Sequence, residues 1–176
     1  MKKITNVITL AMSSLIVAFL ISSCSYNNEP KVVNVNNDFT ITVPAFMKED
    51  NEVKPGAPFQ YANRFRNIYA TAFFEEKSKV NKSFSEYYAL QTKIIKNVLE
   101  GASVTDSTAV EVSGVKGIHT EIFGKMQGEN IYYSHLLLET NDRYYQVCVW
   151  TRNEERKLKY AKDIESLLFS FKLLPK

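Results

Sequence analysis

The tightest constraint on this chain is the two-residue gap Asn141-Asp142, set between apolar runs at residues 131–140 and 143–150. So short a loop joins antiparallel strands and nothing else, because a parallel return needs a dozen residues or more. Asn and Asp also tolerate the positive φ that tight hairpin turns use. Pairing outward from the gap sets His135 opposite Cys148, Tyr133 opposite Trp150 and Leu137 opposite Gln146. The first run holds Tyr132, Tyr133, Leu136, Leu137 and Leu138 with little alternation, which predicts a central strand covered on both faces.

The neighbouring sequence extends the same pattern. Runs at 103–112 and 115–125 are parted by Ser113-Gly114, and Gln127-Gly128-Glu129-Asn130 predicts the next turn. Upstream, Phe39-Thr40-Ile41-Thr42-Val43 alternates and stops at Pro44, which cannot continue a central ladder. Beyond a charged loop with Pro55-Gly56 and Pro58, runs at 59–64 and 68–74 predict a hairpin. Ser83-Phe84-Ser85-Glu86 has the capping-box form, so a helix starts there, with Phe84, Tyr87, Tyr88, Ile94, Ile95 and Val98 on one face and Gly101 as its C-cap. Residues 151–169 predict a closing helix with Leu158, Ala161, Ile164, Leu167 and Leu168 inward and Glu155, Lys159 and Asp163 spaced for i,i+4 pairs. The fold class is α+β, an antiparallel β-sheet flanked by helices.

The front of the chain carries an address. Met1-Lys2-Lys3 is followed by an apolar stretch densest at Leu15-Ile16-Val17-Ala18-Phe19-Leu20-Ile21, the pattern of a signal peptide over residues 1–23. That dense run falls well short of the roughly 20 residues a spanning helix needs. Ile21-Ser22-Ser23-Cys24 resembles the lipobox of bacterial lipoproteins. The resemblance implies that Cys24 is acylated, with diacylglycerol on its thiol and a further chain on its amine, and is held in the bilayer of the cell envelope. More than one acyl chain is what stable anchoring requires. Residues 24–37, rich in Asn, read as a flexible tether spanning about 20 Å; the folded domain is expected over 38–176. Ser25 does not match the Asp associated with inner-membrane retention, and the leaflet stays open.

Charge and cysteine usage narrow the classes further. Removing Lys2 and Lys3 with the signal lowers the net charge of +3, leaving a nearly neutral domain that does not suit a nucleic-acid partner. With Cys24 acylated, Cys148 has no disulfide partner, so stability has to come from a core. No phosphate-binding glycine loop, zinc signature or nucleophile elbow is present, and no cofactor is expected.

The order of strands, mid-chain helix, long hairpins ending in a Tyr/Trp-rich strand, and a closing helix running into Leu-Leu-Phe-Ser-Phe-Lys-Leu at 167–173 looks like the domain of the photosystem PsbP subunit. A Ran-binding nuclear import factor shares that α/β/α sandwich. The likeness covers about Asp38 to Leu174 and carries no catalytic motif. It implies an accessory or binding role.

His135 beside Cys148 is the one pair with chemistry to weigh. A nucleophile with its base, two ligands of a metal, and a packed thiol beside a hydrogen-bonded histidine all place these residue types together, and packing is the favoured reading. If the preceding hairpin pairs Met126 with Ile131, His119 pairs with Leu138 and points away from His135. Glu121 shares the face of His119 and reads as a surface contact. Phe59, Tyr61, Phe65 and Tyr69 gather at the early hairpin as a candidate binding face. Arg152, Arg156, Lys157, Lys159 and Lys162, interleaved with acids, read as a solvated helix face. The expected function is a membrane-anchored, non-enzymatic accessory or binding lipoprotein with an envelope protein partner; a small-molecule carrier with a pocket between sheet and helix, or an enzyme using Cys148 and His135, is the alternative. Cys24→Ala is expected to shift the protein from the membrane to the soluble fraction on cell fractionation, and retention in the membrane excludes the anchor.

Overall fold

The computed structural model describes residues 29–175, so the signal segment and Cys24 lie outside the described residues. The elements run β1 (Lys31–Val35), β2 (Phe39–Val43), β3 (Lys48–Glu49), β4 (Phe59–Asn63), β5 (Ile68–Glu76), α1 (Lys77–Val80), α2 (Phe84–Val98) and β6 (Glu100–Val112). They continue with β7 (Val115–Met126), β8 (Glu129–Glu139), β9 (Arg143–Arg152), α3 (Glu154–Lys159), α4 (Ala161–Phe169) and β10 (Lys172–Leu173). A seven-stranded antiparallel sheet has the order β3-β4-β5-β9-β8-β7-β6, and a three-stranded sheet has the order β1-β2-β10.

The α+β architecture expected from the sequence is present, with the large sheet as the middle layer. One face meets the small sheet and α4 in the main core, where Phe39, Ile41, Leu167, Leu168 and Phe171 close over Phe59, Ala70, Leu136, Tyr145 and Val147. The opposite face lies under α2, where Tyr87 stacks on Tyr144 with ring centroids 4.4 Å apart above Leu137. Leu99, Ile122 and Ile131 form a smaller cluster on that side. Strand β8 is interior, as its unalternating composition requires, while the middle place belongs to β9.

Several local expectations are corrected. Lys31–Val35, read as tether, is strand β1: its four-residue apolar pattern is too short to trust alone, but the edge of β2 supplies the partner and Val35 is buried. Asn36, Asn37 and Asp38 make the intervening three-residue turn, with positive φ at both asparagines and the Asp38 amide donating to the Val35 carbonyl. Asn141 and Asp142 are not among the positive-φ residues; Thr140 holds that turn instead, its hydroxyl accepting from the Arg143 amide at 3.1 Å.

The Gln127-Gly128 turn has positive φ at both residues and is two residues long, so β7 pairs with β8 two places away from the expected register, with His119 opposite Leu136. The capping box is formed, Ser83 and Glu86 each satisfying the other's backbone amide, but α2 ends on extended Leu99, and Gly101 sits at a register shift inside β6. Ile94 and Val98 are exposed rather than inward.

The closing segment is the largest departure. Thr151 and Arg152 stay in the sheet, paired with Tyr132 and Ile131, and Asn153 at φ 56 caps a short helix through the Arg156 amide. The helical stretch then breaks at Tyr160, whose ring leans on Phe46 at 5.7 Å. Leu158 consequently points to solvent.

Gly117 of β7 pairs with Leu138 of β8, and a Cβ there would strike the Leu137 carbonyl and the Leu138 side chain. Gly117→Ala is expected to cost about 1–3 kcal/mol by overpacking, read as a lower urea midpoint at unchanged m-value.

Candidate functional site

Between the large sheet and the C-terminal helices lies a cavity of about 440 Å³. Strand periodicity builds its floor: alternate residues Thr108 and Val110 of β6, His119 and Glu121 of β7, and Tyr132 and Ser134 of β8 all face it. Thr151 of β9 closes one side, and Lys157, Ala161, Ile164, Leu168 and Phe169 from α3 and α4 form the roof. The break at Tyr160 is what makes the roof fit, because α3 can then bring Lys157 to the sheet while α4 lays Leu167 and Leu168 into the core.

The walls are mainly apolar with a few polar groups converging. Lys157 Nζ donates to Glu121 Oε2 at 2.9 Å, and the ammonium stands 5.4 Å over the Tyr132 ring. The His119 ring meets Phe169 edge-on at 5.4 Å. Two polar atoms of the lining residues, His119 Nε2 and Thr151 Oγ1, are buried with no hydrogen-bond partner among the described residues. A buried group left unpaired costs about 1–3 kcal/mol, so such atoms are rare without a reason.

His135 and Cys148 face the other way, beneath α2, and stand directly opposite each other in the ladder. His135 is fully buried; its Nε2 donates to Gln146 Oε1 at 3.0 Å and its Nδ1 has no partner among the described residues. Burial holds the imidazole down at about 4, which keeps it neutral. The same burial pushes the Cys148 thiol up against the opposing effect of the Tyr133 hydroxyl beside it, so the thiolate that nucleophilic or metal chemistry needs is disfavoured. From His135 the polar contacts run on: Gln146 Nε2 donates to the Tyr87 hydroxyl at 2.7 Å, and that hydroxyl donates to the Glu75 carboxylate. Among the described residues no three His, Cys, Asp or Glu side chains gather as metal ligands.

His119 and His135 are on opposite faces despite the register difference, because a shift of two keeps strand parity. Glu121, read as a surface contact, is half-buried in the cavity wall. The aromatic face expected at the early hairpin does not assemble: Phe59 and Tyr61 are core, Tyr69 stacks on Trp150 at 5.5 Å, and Phe65 alone is exposed. The sequence raised a pocket between sheet and helix as one alternative but assigned no residue to it; the alternation of His119 with Glu121 and of Tyr132 with Ser134 was the visible trace of its floor.

No family model matches the chain, and no curated protein matches it. Solved structures do. A cyanobacterial PsbP from Synechocystis sp. PCC 6803 superimposes with a TM-score of 0.59 at 10% identity, covering 83% of this chain and 93% of that one. The Saccharomyces cerevisiae Ran-binding protein Mog1p gives 0.58 at 12% identity over 83% and 96%. Mycobacterium tuberculosis LpqN, described as involved in cell envelope biogenesis, gives 0.58 at 11% over 84% and 91%. At these identities the likeness establishes the PsbP/Mog1 fold.

The neutral His135 sets a pH dependence. Its folded pKa of about 4 lies below the unfolded value near 6.5, so falling pH protonates the unfolded chain first and stability drops through that window. A loss of about 2 kcal/mol is expected between pH 7.5 and pH 5 by urea denaturation, and His135→Gln is expected to flatten it.

Proposed function

We propose that this protein is a lipid-anchored, non-enzymatic binding protein of the bacterial cell envelope, held by acylated Cys24, whose ligand occupies the cavity between the sheet and α3–α4. The observation that carries this reading is the cavity itself. Its volume of about 440 Å³ falls among small-ligand pockets. Its walls suit a compact apolar body, and His119 Nε2 and Thr151 Oγ1 offer hydrogen bonds that the protein leaves unused. The Lys157–Glu121 pair at the rim adds one charge of each sign, which favours a ligand with a polar end rather than a bare hydrocarbon.

Fold neighbours support a binding rather than catalytic role: one is a Ran-binding protein and another is described as acting in envelope biogenesis. The lipobox-like Ile21-Ser22-Ser23-Cys24 supports the anchor. The reading in which Cys148 and His135 catalyse a reaction is weakened by their burial and by the protonated thiol.

The test uses 1-anilinonaphthalene-8-sulfonate as probe, with mass spectrometry of whatever co-purifies. Ala161→Trp, which fills the cavity from the roof, is expected to weaken probe binding at least tenfold at an unchanged melting temperature, whereas Cys148→Ser leaves it unchanged. Equal binding in wild type and Ala161→Trp overturns the cavity as the site.

A further inference from the structure

The tip of the β4–β5 hairpin, Arg64-Phe65-Arg66-Asn67, presents Phe65 with 90% of its surface exposed. This is a braced loop. The Asn67 amide closes a turn on the Arg64 carbonyl, Asn63 Oδ1 accepts from the Arg66 amide at 2.8 Å, and Asn63 Nδ2 donates to the Phe46 carbonyl at 2.7 Å. Arg64 is clamped by Asp50 and Glu52, and Arg156 of α3 donates to the Phe65 carbonyl at 3.1 Å. The backbone is thus fixed in a form that keeps a large apolar ring in water.

The depression beside Phe65 carries an excess of cations, while Asp50 and Glu52 on the tip are taken up by Arg64. Arg66, Arg156 and Lys159 border the depression beside Phe65, with Glu155 the carboxylate among its lining residues. None of the three cations has an ion pair among the described residues.

Topology then says where this end lies relative to the entering chain. Ile68 pairs with Thr151, so the tip stands at the end of the sheet where β9 passes into α3. Lys31 pairs with Val43, and the turn after Val43 brings Phe46 under the Arg66 guanidinium at 4.2 Å and against Tyr160. The chain from Cys24 therefore enters the domain at the same end. The seven links from Cys24 to Lys31 reach about 25 Å at full extension.

We infer that this end is a second membrane contact, with Phe65 seated in the interface of an anionic bilayer and Arg66, Arg156 and Lys159 on its headgroups. The inference rests on the lipid-anchor reading, because one acyl anchor and one apolar-basic patch facing the same way orient the domain on the surface. A docked tip also holds the cavity mouth at a set distance from the lipid.

The experiment uses the full lipidated chain carrying Phe65→Cys labelled with an NBD fluorophore; Cys148 is buried and Cys24 acylated, so the new thiol takes the label. It is reconstituted in 3:1 phosphatidylethanolamine:phosphatidylglycerol vesicles and, separately, in phosphatidylcholine. The expected result is a blue-shifted emission quenched by nitroxide-labelled lipid in the anionic vesicles. Arg66→Glu with Lys159→Glu is expected to lower the docked-to-free ratio about fivefold for each cation removed. Water-like emission in both vesicles overturns the inference. Burial of the label that requires an added envelope protein and not anionic lipid overturns it in favour of a protein contact. The mass of the Cys24 peptide reports the anchor separately: an unacylated Cys24 refutes the anchor, while quenching of the Cys24→Ala, Phe65→Cys chain on added anionic vesicles still decides the docking.

Discussion

The closure of the last segment over the first holds this molecule together. Phe171 stacks on Phe39 at 5.2 Å and leans on Tyr145 at 5.3 Å, the Ser170 hydroxyl accepts from the Thr42 amide at 2.8 Å, and the Leu174 amide donates to the Asp38 carbonyl. Those contacts make β10 the third strand of the small sheet and fix α4, with Leu167 and Leu168, against the large one. Each such side chain contributes about 1.5–3 kcal/mol on full burial. The cavity exists because this closure seals the core at one end of the sheet and spans an open stretch at the other.

The two faces of the large sheet solve different problems. The face under the small sheet is nearly all hydrocarbon and supplies cohesion. The face under α2 carries Thr120, His135 and Gln146 in its buried centre, and these are tied to Tyr87, Tyr88 and Glu75 through hydrogen bonds. A helix seated on polar partners is seated in one register, because a slip would strand the groups beneath it. On this view His135 positions α2, which accounts for its burial without assigning it chemistry.

Much of this was legible in the residues. The gap at Asn141-Asp142 set the pairing of β8 with β9, the capping box set the start of α2, and the order of elements set the fold. What the residues did not show shares one cause: partners remote in sequence. Lys31–Val35 becomes a strand because β2 offers an edge; Thr151 and Arg152 stay in the sheet because β8 reaches that far; Leu158 faces out because Tyr160 breaks the helix against Phe46. The residues lining the cavity were invisible for the same reason, since its floor comes from four strands and its roof from the end of the chain. Length of a turn, by contrast, was misread locally: two positive-φ residues at Gln127-Gly128 suffice where four were assigned.

The small sheet has a temporal meaning as well as a spatial one. Strand β2 is flanked by β1, its neighbour in sequence, and by β10, nearly the whole chain away. Contacts that close so long a loop form slowly and late. A chain leaving the ribosome from its N-terminus can pair β1 with β2 early, yet it has no third strand to complete the small sheet until Lys172 and Leu173 have emerged. The small sheet therefore stays open, and the α4 roof over the cavity unfixed, for almost the whole of synthesis, and both close only when the last residues are free.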